Sequence, residues 1–344
     1  MKDDMKSIYY FLTFFLFLIV SCTQKSNYQT ENVYYAKRIK SYSLDSAFYG
    51  PREICCTDSF IIIYDYNAEK MYSVFQKRNM NRIFSFGNKG DGPTDYIFPE
   101  SLKSNATGFY IFDRSLGKIN ELLLFPDRKP IHSYAKRSAS FIGLNNLIQT
   151  NDSSYVALSY SNDYRYVVVK NDSLFPSLID YPNDGIMSSK VQKSLSYQGR
   201  LLKHPCDDKF VFVSFYGRIM EILRLTESKE LDIIFSSYKI FPQYIPKDGG
   251  GANITDNNIT GVLTASVSEQ YIYLLYSGKE RKEDKRNFSN KIEIYDWEGT
   301  FIKCIVTDEE LSGFCVDNDN VIYGLSYDEN SKDDGCKLIV YDIM

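Results

Sequence analysis

Short runs of apolar and aromatic residues recur along the chain, and polar turns separate them. Six runs share one form, and their first residues lie 46 to 61 positions apart: FIIIYD from Phe60, FYIFD from Phe109, YVALSY from Tyr155, FVFVSF from Phe210, YIYLLY from Tyr271 and VIYGLSYD from Val321. A polar turn and a shorter apolar stretch precede each run, which is typical of a β-hairpin. Repeats of about 40 to 50 residues are typical of propellers and other repeat arrays.

Each repeat continues beyond its hairpin. A second polar turn follows and ends in a basic residue, and then comes a third strand: MYSVF, INELLLF, YVVVK, IMEILRL, IEIYD or LIVYD. A fourth strand is visible in the first five repeats, at residues 82–86, 131–134, 174–179, 231–235 and 301–306. Four strands in each of six repeats predict an all-β fold, a six-bladed β-propeller with four-stranded blades.

The sixth repeat has no fourth strand of its own, but residues 36–44 (AKRIKSYSL) supply a spare strand ahead of the first hairpin. If this N-terminal strand completes the last blade, the ring closes and no sheet edge stays unpaired. The propeller domain is therefore expected to span residues 36–344. A pair of stacked β-sandwiches is the alternative, with a boundary near YPNDG from Tyr181, but the hairpin spacing continues through that point without a reset. No helical period of useful length is visible after the N-terminal segment.

The N-terminus has the pattern of an export signal. Lys2 and Lys6 precede a thirteen-residue apolar run at residues 8–20, shorter than the about 20 residues of a membrane-spanning helix. The run ends in Ile-Val-Ser-Cys22, which resembles a bacterial lipobox. We expect a signal peptide at residues 1–21, a lipidated Cys22 followed by a linker to residue 35, and a location in the cell envelope with membrane contact through the lipid anchor only. An ordinary signal peptide is the alternative.

Composition narrows the class of protein. The chain is 44% hydrophobic and 24% charged, and its 29 Tyr and 23 Phe against one Trp favour strands. The net charge is −4 and no long basic block occurs, so we expect no nucleic-acid binding. Six cysteines follow Cys22: Cys55, Cys56, Cys206, Cys304, Cys315 and Cys336. They allow 15 pairings, and we interpret most of them as small buried hydrophobic residues.

One segment, FGNKGDGPTDYIFP from Phe86, looks at first like a phosphate-binding loop. Its glycines and prolines are Gly87, Gly90, Gly92, Pro93 and Pro99. A dinucleotide-binding GxGxxG opens a helix and a Walker loop ends in GK[ST], whereas the two prolines here prevent a helix. In the repeat, the segment joins the fourth strand of blade one to the first strand of blade two. We therefore expect a structural crossing loop.

The same segment carries a family resemblance. FGxxGxGP, followed by an aromatic residue and Pro99, resembles a motif of the TolB-like six-bladed propeller lipoproteins of Bacteroidota, which carry an FGxxGxGPxEF-like segment after the first blade. Asp95-Tyr96 stand where that family tends to show Glu-Phe. GPREI from Gly50 and the YDxxG turn from Tyr295 are also similar. The resemblance implies a lipid-anchored envelope protein and offers no catalytic residues.

Few residues have the pattern of a catalytic or metal site. His132 and His204 are the only histidines and lie in different repeats, and no HExxH, serine elbow or CxxC occurs. Residues 317–320 and 328–335 resemble calcium loops, but Val321 and Lys332 interrupt their series of oxygen ligands. We therefore expect no metal and no cofactor.

The largest crossing loops are expected at residues 87–99, 180–195 and 240–260. They carry Tyr96, Tyr181 and Tyr244, which we expect to be exposed contact residues. The basic residues before the third strands should lie on the same rim: Lys70, Lys118, Arg165, Arg218, Lys291 and Lys337. These cations solvate an edge, pair with neighbouring Asp or Glu, or join the three tyrosines in a binding face, for which Lys70, Lys118, Arg165 and Arg218 are the candidates.

The fold does not decide the function. The leading hypothesis is a non-enzymatic module that binds an envelope protein or a glycan through the loop-rich face. The alternative is an envelope enzyme, a metal-dependent lactonase or hydrolase or a polysaccharide lyase, with three or more acidic groups at the central channel. Glu53 and Glu269 are the carboxylates expected to approach it. A purely structural ring is a third possibility.

Overall fold

The computed structural model describes residues 32–343, apart from 45–47, 52, 106–107, 126–127, 151–153, 161–162 and 328–334. Residues Tyr34–Met344 form one compact unit. Met1–Val33 form another, of which residues 1–31, including the predicted signal peptide and Cys22, lie outside the described residues.

Antiparallel sheets follow one another along the chain, and the first four blades each use four consecutive strands. Blades one and two are β3 (Glu53–Cys56), β4 (Phe60–Tyr64), β5 (Tyr72–Gln76), β6 (Arg82–Phe86), then β7 (Pro99–Asn105), β8 (Gly108–Asp113), β9 (Lys118–Phe125) and β10 (Arg128–Arg137). Blades three and four are β11 (Leu144–Gln149), β12 (Tyr155–Ser159), β13 (Tyr166–Lys170), β14 (Ser173–Pro176), then β15 (Gly199–Lys203), β16 (Lys209–Ser214), β17 (Arg218–Leu225) and β18 (Leu231–Ile240).

The last two blades include strands from the N-terminal end of the chain. Blade five is β21 (Val262–Val267), β22 (Tyr271–Tyr276), β23 (Ser289–Asp296) and β24 (Phe301–Leu311), with β1 (Val33–Tyr35) as a fifth strand at its outer edge. Blade six is β25 (Gly313–Asp317), β26 (Val321–Ser326), β27 (Lys337–Asp342) and β2 (Lys37–Ser43). The linker predicted to reach residue 35 therefore ends earlier, because β1 begins at Val33.

The ring closes as the sequence predicts. β2 pairs antiparallel with β27, from Lys37 opposite Asp342 to Ser43 opposite Lys337. The innermost strands of neighbouring blades are in contact all round the ring, including β25 with β3. The predicted six-bladed propeller with an N-terminal closing strand is confirmed, and the stacked sandwiches are wrong.

Burial explains why the repeating runs are apolar without alternation. The second strand of a blade is covered by neighbouring blades on both faces, so Phe60, Ile61, Ile62 and Ile63 in β4 are all buried. A continuous apolar run is typical of such a doubly covered strand. The outermost strands are much more exposed, and β2 accordingly reads KRIKSYS, with six of its seven residues exposed.

The two ends of the ring differ. One end, called the crossing face below, carries the crossings from each outermost strand to the next blade and the turns between second and third strands. The described parts of the crossings are residues 44, 48–51, 87–98, 138–143, 177–198, 241–261 and 312. The described parts of the turns are residues 65–71, 114–117, 160, 163–165, 215–217, 277–288, 327 and 335–336. The opposite face carries the remaining turns, which are short.

Three crossings hold additional structure. Residues 177–198 include helix α1 (Lys190–Ser196), and residues 241–261 include the hairpin β19 (Tyr244–Pro246) and β20 (Ala252–Ile254) and a 3₁₀ turn, Asp248–Gly250; a second 3₁₀ turn is Ala139–Phe141. The sequence did not predict α1, because seven residues are too few to show a period. Its capping box, Ser189 with Gln192, is nevertheless a readable signal. Among the described residues, no helix has the length and apolar character needed to span a membrane.

Candidate functional site

The glycine-rich crossing is shaped by contacts within the chain. Gly87 has φ +84°, and a Cβ on Gly92 would lie 2.5 Å from Asp95 Oδ2. The Lys118 amine donates to the carbonyl of Gly92 at 2.8 Å and also to that of Asp95. Asn120 Nδ2 donates to the Pro93 carbonyl at 2.8 Å. The segment thus turns carbonyl oxygens toward a buried lysine that is already bonded, which does not suit a phosphate.

The three crossing tyrosines are buried, so the expectation that they are exposed contact residues is wrong. Tyr96, Tyr181 and Tyr244 are 0%, 8% and 4% exposed. The ring of Tyr96 packs edge-on against Tyr72, and its hydroxyl lies 3.0 Å from Nε2 of His132. Tyr96 and Tyr244 each bury an apolar ring whose hydroxyl is hydrogen-bonded, a common role of tyrosine.

Asp184 ties the two longest crossings together. Its Oδ2 accepts hydrogen bonds from the hydroxyls of Tyr197 and Tyr244, each at 2.9 Å. Burial opposes ionisation, but the hydrogen bonds from the Ile186 N–H and the two tyrosines hold the pKa of Asp184 below its usual value. Gln192 Nε2 in α1 also donates to the Lys247 carbonyl at 2.8 Å. Hydrogen bonds therefore join residues 177–198 and 241–261 into one structured region of the crossing face.

The candidate cations also bind within the chain. Arg165, which is buried, lies 2.7 Å from Glu221 of the next blade. Arg218 donates to both carboxylate oxygens of Glu293, at 2.7 and 2.8 Å. Lys118 is buried against the glycine-rich crossing, and the half-buried Lys70 donates to Asn88 of the same crossing. The charges of Lys70, Lys118, Arg165 and Arg218 are thus used in contacts between blades and loops, which favours the alternative that these cations bind within the chain over a shared binding face.

Charged side chains meet at the central axis instead. Glu53 opens the innermost strand of blade one, and Arg200 lies on the innermost strand of blade four. These blades stand opposite one another in a ring of six, yet Glu53 Oε1 and a guanidinium nitrogen of Arg200 are 2.7 Å apart. The ion pair therefore spans the axis at the crossing face.

A second pair lies beside the first. Glu100, which follows the first residue of β7, lies 2.8 Å from Arg114, and Arg114 also donates to Asn145 Oδ1 at 3.0 Å. Within the described residues, Glu100 Oε2 is buried and has no hydrogen-bond partner. Burial raises the pKa of Glu100 to about 7, against the attraction of Arg114. Glu53, Glu100, Arg114, Asn145 and Arg200 are called the axial cluster below.

Sequence reasoning identified Glu53 but missed Glu100, Arg114 and Arg200. The position of Glu100 and Arg200 in the repeat could have indicated them, because each stands, like Glu53, at or next to the start of an innermost strand. Glu269 lies on the opposite face, where its carboxylate accepts from Cys206 Sγ at 3.1 Å.

The described residues contain no group of three or more His, Cys, Asp or Glu side chains that could hold a metal ion. Residues 328–334, most of the second calcium-like stretch, lie outside the described residues.

Exposed large apolar side chains are distributed unevenly. Some lie on outermost strands, and the others lie on the crossing face: Tyr49, Tyr66, Ile97, Phe98, Ile142, Leu178, Met187 and Ile245. Leu178 and Met187 are the extreme cases, at 98% and 97% exposed. The described turns of the opposite face carry none. Among the described loops, only those of the crossing face therefore present large apolar side chains to solvent.

Two of these exposed side chains, Tyr66 and Phe98, are connected to the axial cluster through contacts between side chains. The rings of Tyr66 and Phe98 have centroids 6.2 Å apart. Lys89 Nζ lies over the Tyr66 ring at 4.5 Å, and the Arg114 guanidinium lies over the Phe98 ring at 4.0 Å. Since Arg114 also binds Glu100, a continuous series of contacts runs from the exposed aromatic pair to the axial cluster.

A closed ring of six four-stranded blades, with long loops on one face and a charged axis, defines this protein as a six-bladed β-propeller. The family model described as TolB-like 6-blade propeller-like matches residues 30–319. The chain belongs to this family.

Solved structures show the same fold at low sequence identity. A candidate exported protein of Bacteroides fragilis is 15% identical, with TM-score 0.51 over 90% of this chain and 94% of that one. A member of the duf4221 family from Bacteroides vulgatus is 9% identical, with TM-score 0.54 over 89% of this chain and 97% of that one. No curated protein matches the sequence.

Proposed function

We propose that the protein is a non-enzymatic binding module of the cell envelope, and that its crossing face holds a protein partner. The observation that carries this proposal is the apolar surface of that face, with Leu178 and Met187 almost fully exposed. Exposed apolar groups gathered on one face mark interaction sites in soluble proteins. The described turns of the opposite face, by contrast, carry no exposed large apolar side chain.

A protein is a better fit than a glycan as the partner. Sugars bind chiefly through stacked aromatic rings and dense hydrogen bonding, whereas most exposed groups on the crossing face are aliphatic. Ile97, Ile142, Leu178, Met187 and Ile245 suit an apolar protein surface. Function also concentrates on loops that a rigid scaffold positions.

The N-terminal pattern supports the envelope location. The apolar run at residues 8–20 and the Ile-Val-Ser-Cys22 sequence favour export and a lipid on Cys22. The anchor would hold the propeller at a membrane surface through a short linker, and the partner would be another envelope component.

A pull-down of the tagged full-length protein from its own crosslinked envelope tests the proposal. Leu178→Asp with Met187→Asp places two charges on the crossing face. The matched control is Leu174→Asp with Phe175→Asp, which charges two exposed apolar positions on outermost strand β14. We expect a stoichiometric protein that wild type and control retain and that the crossing-face variant loses at least tenfold. Equal recovery with both variants, or recovery of glycan without protein, would contradict the proposal.

One observation favours an enzyme as a second candidate function. Glu100 is a carboxyl group with a pKa of about 7 beside Arg114, and such groups serve as general acids or bases. The described residues bring two carboxylates to the axis, Glu53 and Glu100, rather than the three expected for a metal-dependent enzyme. A screen of lactones and envelope polysaccharides would favour the enzyme if a turnover fell at least 100-fold in Glu100→Gln.

A further inference from the structure

Two thiols meet at the seam where the last blade closes on the first. Cys56 ends β3, the innermost strand of blade one, and Cys315 lies in β25, the innermost strand of blade six. The two strands are in contact across the seam. The Cys56 thiol donates to the carbonyl of Val316, the residue after Cys315, at 3.4 Å. Cys56 and Cys315 also pack in the same hydrophobic cluster at this seam.

The strand geometry selects Cys56 over its neighbour as the partner of Cys315. Successive residues of a strand point to opposite faces. Cys56 packs in the cluster between blades six and one, which contains Cys315, whereas Cys55 packs in the cluster between blades one and two. Cys336 belongs to the same seam cluster, but it lies next to Leu44 near the crossing face, where Leu44 N–H donates to its carbonyl.

We propose that Cys56 and Cys315 are joined by a disulfide bond that fastens the innermost strands of the first and last blades. Forming this bond requires an oxidant, which is a second disulfide compound. Each thiol loses one proton, the two sulfurs give up two electrons to form the S–S bond, and the disulfide oxidant is reduced to two thiols. Such bonds persist in the compartments outside the cytoplasm, the destination that the proposed export implies.

The bond complements the closure by β2. The β2–β27 pairing closes the ring at its outer rim, and Lys77 with Asp317 adds an ion pair of 2.6 Å across the same seam. A disulfide between β3 and β25 would close the seam at the axis, and it would link positions far apart in the chain, which restricts the unfolded state strongly.

The order of events follows from burial. Cys315 is buried, and burial, followed by the nearby Cys56 thiol, raises the pKa of its thiol well above the usual value. Since the thiolate is the attacking species in disulfide exchange, the folded protein reacts slowly. The disulfide should therefore form while the ring is still open.

The test refolds the purified, reduced full-length chain in a buffer of oxidised and reduced glutathione, blocks the remaining thiols and maps linked peptides by mass spectrometry. Cys55→Ser, Cys56→Ser and Cys315→Ser are refolded in parallel. We expect a linked peptide containing Cys56 and Cys315 in wild type and in Cys55→Ser, and none in the other two variants. Reduction should lower the melting temperature of wild type and Cys55→Ser by about 5 °C and leave that of the other two unchanged.

Three results would overturn the proposal. In the first, wild type refolds with no link between these peptides. In the second, a link survives in Cys56→Ser and therefore uses Cys55. In the third, the protein is linked but its melting temperature does not respond to reduction. The Cys55→Ser control shows that the loss in Cys56→Ser is not a general effect of removing a cysteine from β3.

Discussion

Gly87 is the position where the backbone of the glycine-rich crossing depends most clearly on the absence of a side chain. Its φ is +84°, and a Cβ there would lie 2.9 Å from the Tyr72 ring. We expect Gly87→Ala to lower the free energy of unfolding by about 3 kcal/mol, through left-handed strain and the clash with a buried ring. Urea unfolding followed by circular dichroism measures it.

Gly249 is the matched control. Its φ is +80°, but nothing lies within 4 Å of its Cβ position. Gly249→Ala should cost only the backbone strain, about 1 kcal/mol. Equal effects at the two glycines would show that packing against Tyr72 does not hold the crossing in place.

Glu100 should make stability depend on pH. Its folded pKa of about 7 lies above the ordinary value of 4.5 for a glutamate, so the folded state binds more protons than the unfolded state between these values. The free energy of unfolding should therefore fall as pH rises from about 4.5 to 7 and stay low above it. Glu100→Gln removes this loss, and we expect it to stabilise the protein by about 2 kcal/mol at pH 8 and to change stability little at pH 4.5. Parallel pH profiles that never diverge would contradict the assignment.

The residue identities revealed less than the strand pattern. Tyr96, Tyr181 and Tyr244 were predicted as exposed, because tyrosine in a loop fits both a contact residue and a cover over the core. Only the partners decide between these roles, and His132 and Asp184 come from other parts of the chain. The axial cluster was equally hidden, since Glu53 and Arg200 are 147 residues apart.

The contact between blades three and four contains a buried ion pair, Arg165 with Glu221. Glu221 also accepts hydrogen bonds from the hydroxyls of Tyr166 and Tyr238. Arg165→Met leaves this carboxylate buried without its cation, so we expect a loss of about 3–5 kcal/mol in the free energy of unfolding. The double variant with Glu221→Gln should regain at least half of that loss.

Arg38 provides the control for this prediction. It lies 2.7 Å from both Asp308 and Glu309, but the pairs are partly exposed at the outer rim. Arg38→Met should cost less than about 1 kcal/mol. If Arg165→Met is no worse than Arg38→Met, the pair is not a determinant of how the two blades dock.

Strands were more predictable than the elements between them. Apolar runs bounded by polar turns located most of the second and third strands within a residue or two, because burial on both faces demands such runs. Helix α1 and the hairpin β19–β20 escaped prediction because they are short and are held by tertiary contacts, such as Gln192 with the Lys247 carbonyl. Short elements of this kind carry little periodic signal of their own.

The closed ring follows from the sequence almost completely, since six repeats and one spare strand admit few arrangements. The surface that the ring presents to a partner does not follow from the repeats. The apolar groups of the crossing face are spread over five separate crossings and one turn, at most two in each, and only the fold gathers them on one face. The proposed function therefore depends on a property that appears only when the blades are assembled.

Site-specific photo-crosslinking in living cells tests that property most directly. A photoreactive residue at Met187 samples the crossing face, and one at Glu227, exposed in a turn of the opposite face, is the control. We expect a discrete protein adduct from Met187 and none from Glu227. An adduct from Glu227 alone, or no adduct from either position, would contradict a protein-binding crossing face.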